Sequence, residues 1–406
     1  MDVLQQRLRG LTALALAVAS CGVEAEEPEA RRYLGDAAFR RAALVGSLVT
    51  RDNAYARLRL ARYDSGDALD WSRLPAWNPP AAVGPRDVAT PLVIDAAASE
   101  GDEGALRALG ERAFARYPAM LLSPPVETAL RDEGAWTRYG LRLPTAGASG
   151  GDVVRVSLPG GDVGLALTCA ACHSARTEDG ALIAGVANGS LDLGALTADA
   201  NQLLDPTAVM RLRAWGPGRV DVSTDDGGEP LAMPDLRAVR HQTHLHRAGA
   251  VRAGSLAALA VRVETLLVTS HREAVRPPRE VALGLAVYLR SLGEAMPRTA
   301  TDAGRGAAVF AARCGGCHAG EGRAGGLVTS EAADTEAWVA RSPARGTGFY
   351  RVPSLRGVGT RGRLLHDASV TDVGALLDPM RGGWHRVGRG LDAGDRAALA
   401  DFVRAL

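Results

Sequence analysis

The sequence predicts a mainly α protein built from two related domains, with a helical extension before them and one small β-hairpin inside the first. Three observations lead to this prediction. The stretch Cys-x-x-Cys-His occurs twice, at 169–173 and at 314–318. The stretch Pro-x-Leu-Arg also occurs twice, at 234–237 and at 353–356. Around these stretches, apolar residues recur mostly at helical spacing, so two copies of one helical design are expected.

Each Cys-x-x-Cys-His stretch has the spacing of a c-type haem attachment site. Two thiols separated by two residues can add to the two vinyl groups of one haem, and the histidine that follows can ligate its iron. Two such stretches predict two covalently bound haems. The predicted attachment cysteines and iron-ligating histidines are Cys169, Cys172, His173, Cys314, Cys317 and His318.

A zinc ribbon or a redox dithiol fits the two Cys-x-x-Cys pairs less well. A zinc ribbon keeps its two pairs about 15 to 20 residues apart, whereas Cys172 and Cys314 are separated by more than a hundred residues of sequence. A redox dithiol gives no role to the histidine that follows each pair. Covalent haem is therefore the preferred interpretation of both stretches.

The first 20 residues have the pattern of a bacterial lipoprotein signal peptide. Arg7 and Arg9 are basic, 11–19 is apolar but too short to span a bilayer, and the stretch ending at Cys21 has the form of a lipoprotein cleavage box. Cys21 is therefore the predicted lipidation site, on a protein anchored by lipid to a bacterial membrane and facing the periplasm. An ordinary cleaved signal peptide with a chance cysteine is the alternative. Both predict export, in agreement with haem attachment outside the cytoplasm.

The composition is that of an ordinary soluble protein. Hydrophobic residues make up 47% of the chain, and the formal net charge of +1 gives no sign of a nucleic-acid partner. All of the basic residues are arginine, so a catalytic lysine is excluded.

Helical spacing and breaker residues divide the chain into four parts. After the signal peptide at 1–20, residues 21–100 are predicted to form a tether followed by helices and a proline-rich loop. Residues 101–297 are the predicted first haem domain and 298–406 the second, each framed by an early and a late helix. Apolar strands on both sides of a Pro-Gly-Gly-Asp turn predict a β-hairpin directly before Cys169.

The internal repeat extends beyond the haem motifs. A Leu-His pair ends at His246, twelve residues after Pro234, and another ends at His366, thirteen residues after Pro353. We therefore expect His246 and His366 to occupy equivalent positions.

Two arginines, Arg237 and Arg356, occupy matching positions of the same repeat. A guanidinium group pairs well with a carboxylate, so each is predicted to bind a haem propionate. The alternative is a structural arginine that holds loop carbonyls.

From about Tyr139 to its end, the chain resembles the bacterial di-haem cytochrome c peroxidase superfamily. The resemblance rests mainly on 352–356 (Val-Pro-Ser-Leu-Arg) and 365–370 (Leu-His-Asp-Ala-Ser-Val). That superfamily also includes the di-haem enzyme that matures methylamine dehydrogenase and, more distantly, the di-haem rubber oxygenases. The resemblance implies two cytochrome c-like haem domains, with an electron-relay haem in the C-terminal one and peroxide or oxygen chemistry at the N-terminal haem.

The resemblance also implies a ligand for the second iron. Peroxidases of this superfamily place a ligating methionine fourteen residues after the histidine of the second stretch, which corresponds to Met380. A thioether ligand raises the reduction potential, as a relay haem requires. His366 is the alternative ligand, and a core position is the alternative role for Met380.

The region around the first iron departs from the peroxidase pattern. Arg247 stands nearest the family's inter-haem tryptophan, and Glu264 is the one residue of 255–269 that could serve as a proton-transferring base. This departure argues against hydrogen peroxide reduction. The first iron either has an open sixth position or takes one of four candidate ligands, which are Met233, His241, His244 and His246.

Together these features predict a di-haem c-type cytochrome lipoprotein that transfers electrons to or from a partner protein. A di-haem peroxidase- or oxygenase-like oxidoreductase with an open first haem is the alternative.

Overall fold

The computed structural model describes residues 27–64, 92–143, 151–157, 163–176, 182–201, 204–223, 225, 228–270, 276–294 and 303–406. These residues are 44% helical and 10% strand, in agreement with the prediction of a mainly α protein. Cys21, the predicted lipidation site, lies outside them.

The described residues form fifteen helices, and most begin at an aspartate whose side chain accepts a backbone hydrogen bond, as Asp102 does from Ala105. They are α1 (Glu29–Gly35), α2 (Ala37–Ser47), α3 (Ala54–Asp64), α4 (Ala96–Ser99), α5 (Glu103–Arg116), α6 (Pro124–Ala129), α7 (Glu133–Arg138), α8 (Cys169–His173), α9 (Leu193–Ala200), α10 (Pro206–Arg213), α11 (Leu256–Ser270), α12 (Arg279–Ser291), α13 (Arg305–Arg313), α14 (Val373–Leu376) and α15 (Ala393–Arg404). None of these helices is long and apolar enough to cross a membrane.

The strands are short and all of their pairings are antiparallel. They are β1 (Met120–Leu121), β2 (Val153–Ser157), β3 (Val163–Leu167), β4 (Ser174–Arg176), β5 (Leu182–Ala184), β6 (Arg219–Val220), β7 (Leu231–Ala232), β8 (His244–Leu245), β9 (Val251–Arg252), β10 (Leu327–Val328) and β11 (Tyr350–Arg351). The predicted hairpin before Cys169 is confirmed as β2 and β3, and β1 adds a third strand in the order β1-β3-β2.

In the first half of the chain, α5 and α12 cross at two glycines. A Cβ atom at Gly110 would lie 1.9 Å from the carbonyl oxygen of Gly284, so no side chain fits at this crossing. One turn further along each helix, the rings of Phe114 and Tyr288 pack with their centroids 5.5 Å apart. Phe114 is buried in the core of the first half, and the partly buried Tyr288 packs against that core.

In the second half, α13 and α15 cross in the same way. A Cβ atom at Gly306 would lie 2.2 Å from the carbonyl oxygen of Ala398, and the rings of Phe310 and Phe402 lie 5.1 Å apart. In both halves the crossing glycine is followed four residues later by the packing phenylalanine. The two halves therefore share one helix-crossing design.

The halves differ in how the chain enters the Cys-x-x-Cys-His stretch. In the second half, α13 ends directly before Cys314. In the first half, α6, α7 and the three-stranded sheet intervene between α5 and Cys169, and β3 leads into α8. These inserted elements form a second core around Trp136, beside the thiol of Cys172.

The two halves contact each other through a reciprocal pair of backbone hydrogen bonds. The amide of Ala232, two residues before the repeated proline, donates to the carbonyl of His366 at 2.8 Å. The amide of Arg351, two residues before the second proline, donates to the carbonyl of Arg247 at 2.9 Å. Each half thus donates one of these hydrogen bonds and accepts the other through equivalent residues, as expected for two halves related by a two-fold axis.

The backbone corrects the predicted register of the repeat by one residue. Leu245 pairs with Val251, and Leu364 pairs with Val370 at the same distance from its proline. His246 and Leu365 both have positive φ, 67° and 69°. His246 is therefore equivalent to Leu365. The expectation that it matches His366 is wrong, because His366 is equivalent to Arg247.

The N-terminal extension packs directly on the first half. Tyr33 of α1 and Leu44 of α2 are buried in the same core as α5, α11 and α12. Leu48, just after α2, forms a β-bridge with Val251. The described part of the extension is therefore integral to the fold of the first half.

Candidate functional site

The first Cys-x-x-Cys-His stretch opens into a cavity, which Cys169, Cys172 and His173 all line. The space open to the centres of water molecules measures about 280 Å³, far above the roughly 15 Å³ that a single water needs. The apolar side chains on its walls are Phe114, Met120, Leu167, Val220, Leu231, Leu236, Val239, Leu259, Val263, Leu266, Leu267, Leu285 and Leu289. A large, mainly apolar ligand fits such a lining.

His173 is held in the form that a metal ligand requires. Its Nδ1 lies 3.0 Å from the carbonyl oxygen of Pro234, so Nδ1 carries the proton and donates it. Nε2 then keeps a free lone pair, because a second-shell carbonyl of this kind selects the tautomer. Burial lowers the pKa of His173 to about 4, so the ring is neutral at pH 7.

The two thiols of this stretch are free and partly buried. Cys169 and Cys172 form no disulfide with each other, and burial raises the pKa of each to about 12. Reactive dithiols instead have a lowered thiol pKa. The surroundings of this pair therefore differ from those of a redox dithiol.

Arginines line the cavity in unusual number, and they are Arg59, Arg247, Arg262, Arg345 and Arg351. The guanidinium group of Arg345 is neutralised, since it lies 2.7 Å from Asp221 and 2.6 Å from Asp225. Nε of Arg59, Nη1 of Arg262 and Nε of Arg351 are buried and have no hydrogen-bond partner within the part of the chain that the structure describes. Burying charged donors without an acceptor is costly, so this part of the cavity is suited to an anion.

His246 lies among these arginines. Burial, followed by the charges of Arg345, Arg262, Arg59 and Arg351, lowers its pKa far below the usual value. The amide of Ala248 donates to its Nδ1 at 3.3 Å. The neutral ring therefore carries its proton on Nε2, the opposite tautomer to that of His173.

The other candidates for the first iron are placed less favourably. Met233 lines the cavity, but it directly precedes Pro234 and so starts from the wall that holds His173. His241 and His244 are not among the residues that line the cavity. His246 is thus the one histidine candidate that the structure brings into the cavity with His173.

Glu264, the catalytic candidate, faces away from the cavity. It is fully buried and accepts a hydrogen bond from Tyr33 at 2.8 Å, and its carboxylate contacts the guanidinium groups of Arg276 and Arg279. Its neighbours Val263 and Leu266 line the cavity, but Glu264 does not. The prediction that it moves protons there does not fit this position, because its carboxylate is occupied by two cations.

Arg237 also departs from its predicted role. Its Nη2 lies 2.6 Å from Asp235, and it donates to Thr360 and to the carbonyl of Gly357 in the other half. The guanidinium group is thus already neutralised, and the alternative of a structural arginine is the one that fits. Arg356 differs, because its Nε is buried without a partner and is free to meet a carboxylate.

The second Cys-x-x-Cys-His stretch repeats the arrangement of the first histidine. Nδ1 of His318 lies 3.2 Å from the carbonyl oxygen of Arg323, and the carbonyl of Pro353 also acts on this ring. Burial lowers the pKa of His318 to about 4, so it too is neutral with a free Nε2. Cys314 packs against the core of the second half, which contains Phe310 and Phe402, and forms no disulfide with Cys317.

The two predicted ligands of the second iron differ in how firmly the structure holds their side chains. The side chain of Met380 is 86% exposed, so the alternative of a core position is wrong. His366 is buried, contacts the carboxylate of Glu336 and packs against the ring of Tyr350 with centroids 5.4 Å apart. Ligation by Met380 stays a prediction, and His366 is occupied by an acidic partner.

Sequence reasoning missed two cavity residues of the extension, Tyr55 and Arg59. The guanidinium group of Arg59 stacks over the ring of Tyr55 at 4.1 Å and donates to Thr265 of α11 at 2.9 Å. Their four-residue spacing on α3 places both on one helix face, which was the available signal.

The residues at the first stretch fit a c-type haem on four counts. They supply two free thiols, an imidazole with its Nε2 free, apolar walls and guanidinium N–H donors that have no partner among the described residues and could meet two propionates. Among the described residues, no three Cys, His, Asp or Glu side chains converge, so the four cysteines do not form a common zinc site. Comparisons with protein-family models, with curated proteins and with solved structures find no match to the chain.

Proposed function

We propose that the chain is a di-haem c-type cytochrome lipoprotein that transfers electrons outside the cytoplasm. One observation supports this proposal above all others. The histidine of each stretch donates its Nδ1 proton to a backbone carbonyl, that of Pro234 for His173 and that of Arg323 for His318. Each ring is thereby oriented as a neutral ligand with Nε2 free. Both stretches thus share the feature that iron ligation needs.

Haem, when bound, supplies one-electron redox chemistry. The chain's own residues hold and surround it. Cys169 and Cys172 would tether it covalently, His173 would ligate its iron, and the apolar walls would exclude water from the cavity. Guanidinium groups with unpartnered N–H donors among the described residues, including that of Arg351, would neutralise its carboxylates.

A second function, a peroxidase- or oxygenase-like oxidoreductase, is favoured by the tautomer of His246. Because Nδ1 accepts from Ala248, the ring offers an Nε2 proton to the cavity. Such a group is a hydrogen-bond donor and a poor metal ligand. This arrangement would leave the sixth position of the first iron open to a small ligand.

The location and partner belong to the same proposal. The signal peptide would direct export, and the lipid on Cys21 would anchor the mature protein at the periplasmic side of a bacterial membrane. The net charge of +1 does not select a partner. The expected partner is a redox protein that exchanges electrons with one of the two haems.

The haem content tests the main proposal. Wild-type protein made in a host that attaches c-type haem should keep two haems per chain after acid–acetone extraction. Cys169→Ala and Cys314→Ala should each keep one. Cys21→Ser, which changes a cysteine outside both stretches, is the matched control and should keep two. One haem or none in the wild type would refute the proposal.

Carbon monoxide distinguishes the two functions in the same preparations. An electron-transfer protein with both irons six-coordinate should show an unchanged reduced spectrum under carbon monoxide. An open first iron should bind it, and Cys169→Ala should then abolish that binding.

A further inference from the structure

A histidine that the sequence motifs did not select, His385, lies beside the second Cys-x-x-Cys-His stretch. It belongs to the loop between α14 and α15. Val387, two residues later, packs against the same core as Cys314. Gly390, five residues later in the same loop, lies beside Arg313, the residue directly before Cys314, because a Cβ atom at Gly390 would be 3.7 Å from the Arg313 guanidinium group. His385 is also among the groups that lower the pKa of His318.

The backbone of His385 is strained and firmly held. Its φ is 55°, a conformation that costs free energy in a residue other than glycine. Arg381 donates to the carbonyl of His385 at 2.9 Å, and the amide of His385 donates to the carbonyl of Asp334. Arg386 then forms a two-pronged ion pair with the side chain of Asp334. Backbone strain of this kind persists only where the surrounding structure fixes the conformation, and strained residues cluster at functional sites.

The ring of His385 has the tautomer of a metal ligand. Its Nδ1 lies 3.1 Å from the carbonyl oxygen of Ala333, so Nδ1 donates and Nε2 keeps a free lone pair. His173 and His318 have the same arrangement, each with a backbone carbonyl at Nδ1. His246, whose Nδ1 accepts from an amide, has the opposite one.

The other two candidate ligands of the second iron do not have a free ligand atom that a backbone partner orients. Met380 is five residues earlier in the same loop, but its side chain is exposed and only its backbone amide is held, by Asp378 at 2.9 Å. His366 is turned to the carboxylate of Glu336. Preorganised ligands with fixed second-shell partners bind metals more tightly than free ones.

We propose that His385 would help to hold the second haem, with its Nε2 as a protein ligand of the iron in addition to His318. This inference rests on the proposed function, since it requires a haem at Cys314 and Cys317. It departs from the methionine ligation that the family resemblance implies. Imidazole favours the oxidised iron more than a thioether does, so the second haem should have a lower potential than a relay haem with methionine.

The test is ligand replacement in the haem-loaded protein. His385→Gly removes the imidazole and suits the positive φ, so the loop should keep its path. Its oxidised second haem should change from low-spin to high-spin by electron paramagnetic resonance. Added imidazole should restore the low-spin signal. His385→Met should instead introduce the thioether-to-iron absorption band and raise one potential.

Two control variants separate the possible outcomes. Met380→Ala should leave the spectra and both potentials unchanged, and so should His244→Ala, a partly buried histidine away from the cavity. If Met380→Ala abolishes the low-spin signal, or if His385→Gly leaves it intact, the inference is wrong. In either case two covalent haems per chain would keep the proposed function, whereas loss of covalent haem from the wild type would remove both.

Discussion

Glu264 is a residue whose chemistry would be misjudged from its type alone. A fully buried carboxylate needs compensation, and Arg276, Arg279 and Tyr33 provide it. Tyr33 comes from α1, so this cluster attaches the N-terminal extension to α11. The side chain acts on stability, and the cavity lies on the other side of its helix.

Glu264→Gln should therefore lower the free energy of unfolding by about 3–5 kcal/mol, because two guanidinium groups lose their buried counter-charge. Chemical denaturation of the haem-loaded protein measures this loss. Carbon monoxide binding and the haem spectra should not change. A catalytic Glu264 would give the reverse, with altered reactivity and unchanged stability.

The matched control for this variant is Glu294→Gln. Glu294 also meets two arginines, Arg107 and Arg240, but all three side chains are at least 41% exposed. Exposed pairs contribute little, so the change should stay within about 0.5 kcal/mol.

At the scale of elements, each half depends on two helices that approach backbone to backbone. Gly110 of α5 and Gly306 of α13 lie where a methyl group would meet a carbonyl oxygen of the partner helix. Because the helices are this close, the phenylalanine one turn later, Phe114 or Phe310, packs against an aromatic ring of the partner helix. Two small residues thus set how near the helices come.

Alanine at either crossing should force the helices apart. We expect Gly110→Ala and Gly306→Ala each to lower the free energy of unfolding by about 1–3 kcal/mol or more, since the obstacle is backbone and cannot rotate away. Thermal unfolding followed by circular dichroism gives the comparison. Gly46→Ala, in α2 with nothing within 4 Å of the added methyl group, should instead stabilise by about 0.5–1 kcal/mol. Equal effects at all three positions would contradict the crossing argument.

At the scale of the whole molecule, the halves are joined by a buried ion cluster. Asp235 of the first half lies 2.6 Å from Arg237 and 3.2 Å from Arg361 of the second half. Burial acts to raise the pKa of Asp235, but Arg361 and Arg237 outweigh it and hold that pKa below the usual 3.8. The carboxylate thus stays charged between two cations from different halves.

Asp235→Asn should cost about 3–5 kcal/mol and separate the unfolding of the two halves. Calorimetry should show one transition in the wild type and two in the variant. Asp401→Asn, which removes an 80% exposed partner of Arg404, should leave one transition. The wild-type contribution should be complete above pH 3.8 and be lost as the pH falls through the lowered pKa, because the unfolded carboxyl group takes up protons first. A single transition in Asp235→Asn would contradict this role.

Local patterns predicted much of the fold because their causes are local. The hairpin before Cys169, the framing helices and the repeat follow from apolar spacing and turn residues. The register of the repeat was missed by one residue because a Leu-His pair occurs in both halves, and only the backbone bridges identify Leu365 as the partner of His246.

The sequence predicted only those residues of the candidate site that belong to a recognisable motif. The predicted haem-attachment residues follow from the Cys-x-x-Cys-His pattern. Arg59, however, reaches the cavity from the extension, and an arginine-rich sequence does not show which guanidinium groups converge. His385 stands alone in a loop, and its tautomer depends on the carbonyl of Ala333, fifty-two residues away. Contacts of this kind arise from tertiary packing.

The reciprocal hydrogen bonds between Ala232 and His366 and between Arg351 and Arg247 join main chain to main chain. Side chains at these positions can therefore diverge without moving the two halves relative to each other. Electron tunnelling slows steeply with distance, whereas the potential at each end depends on the ligands. If the chain binds the two proposed haems, point substitutions could therefore tune the potential of either haem while the distance between the two stays constant.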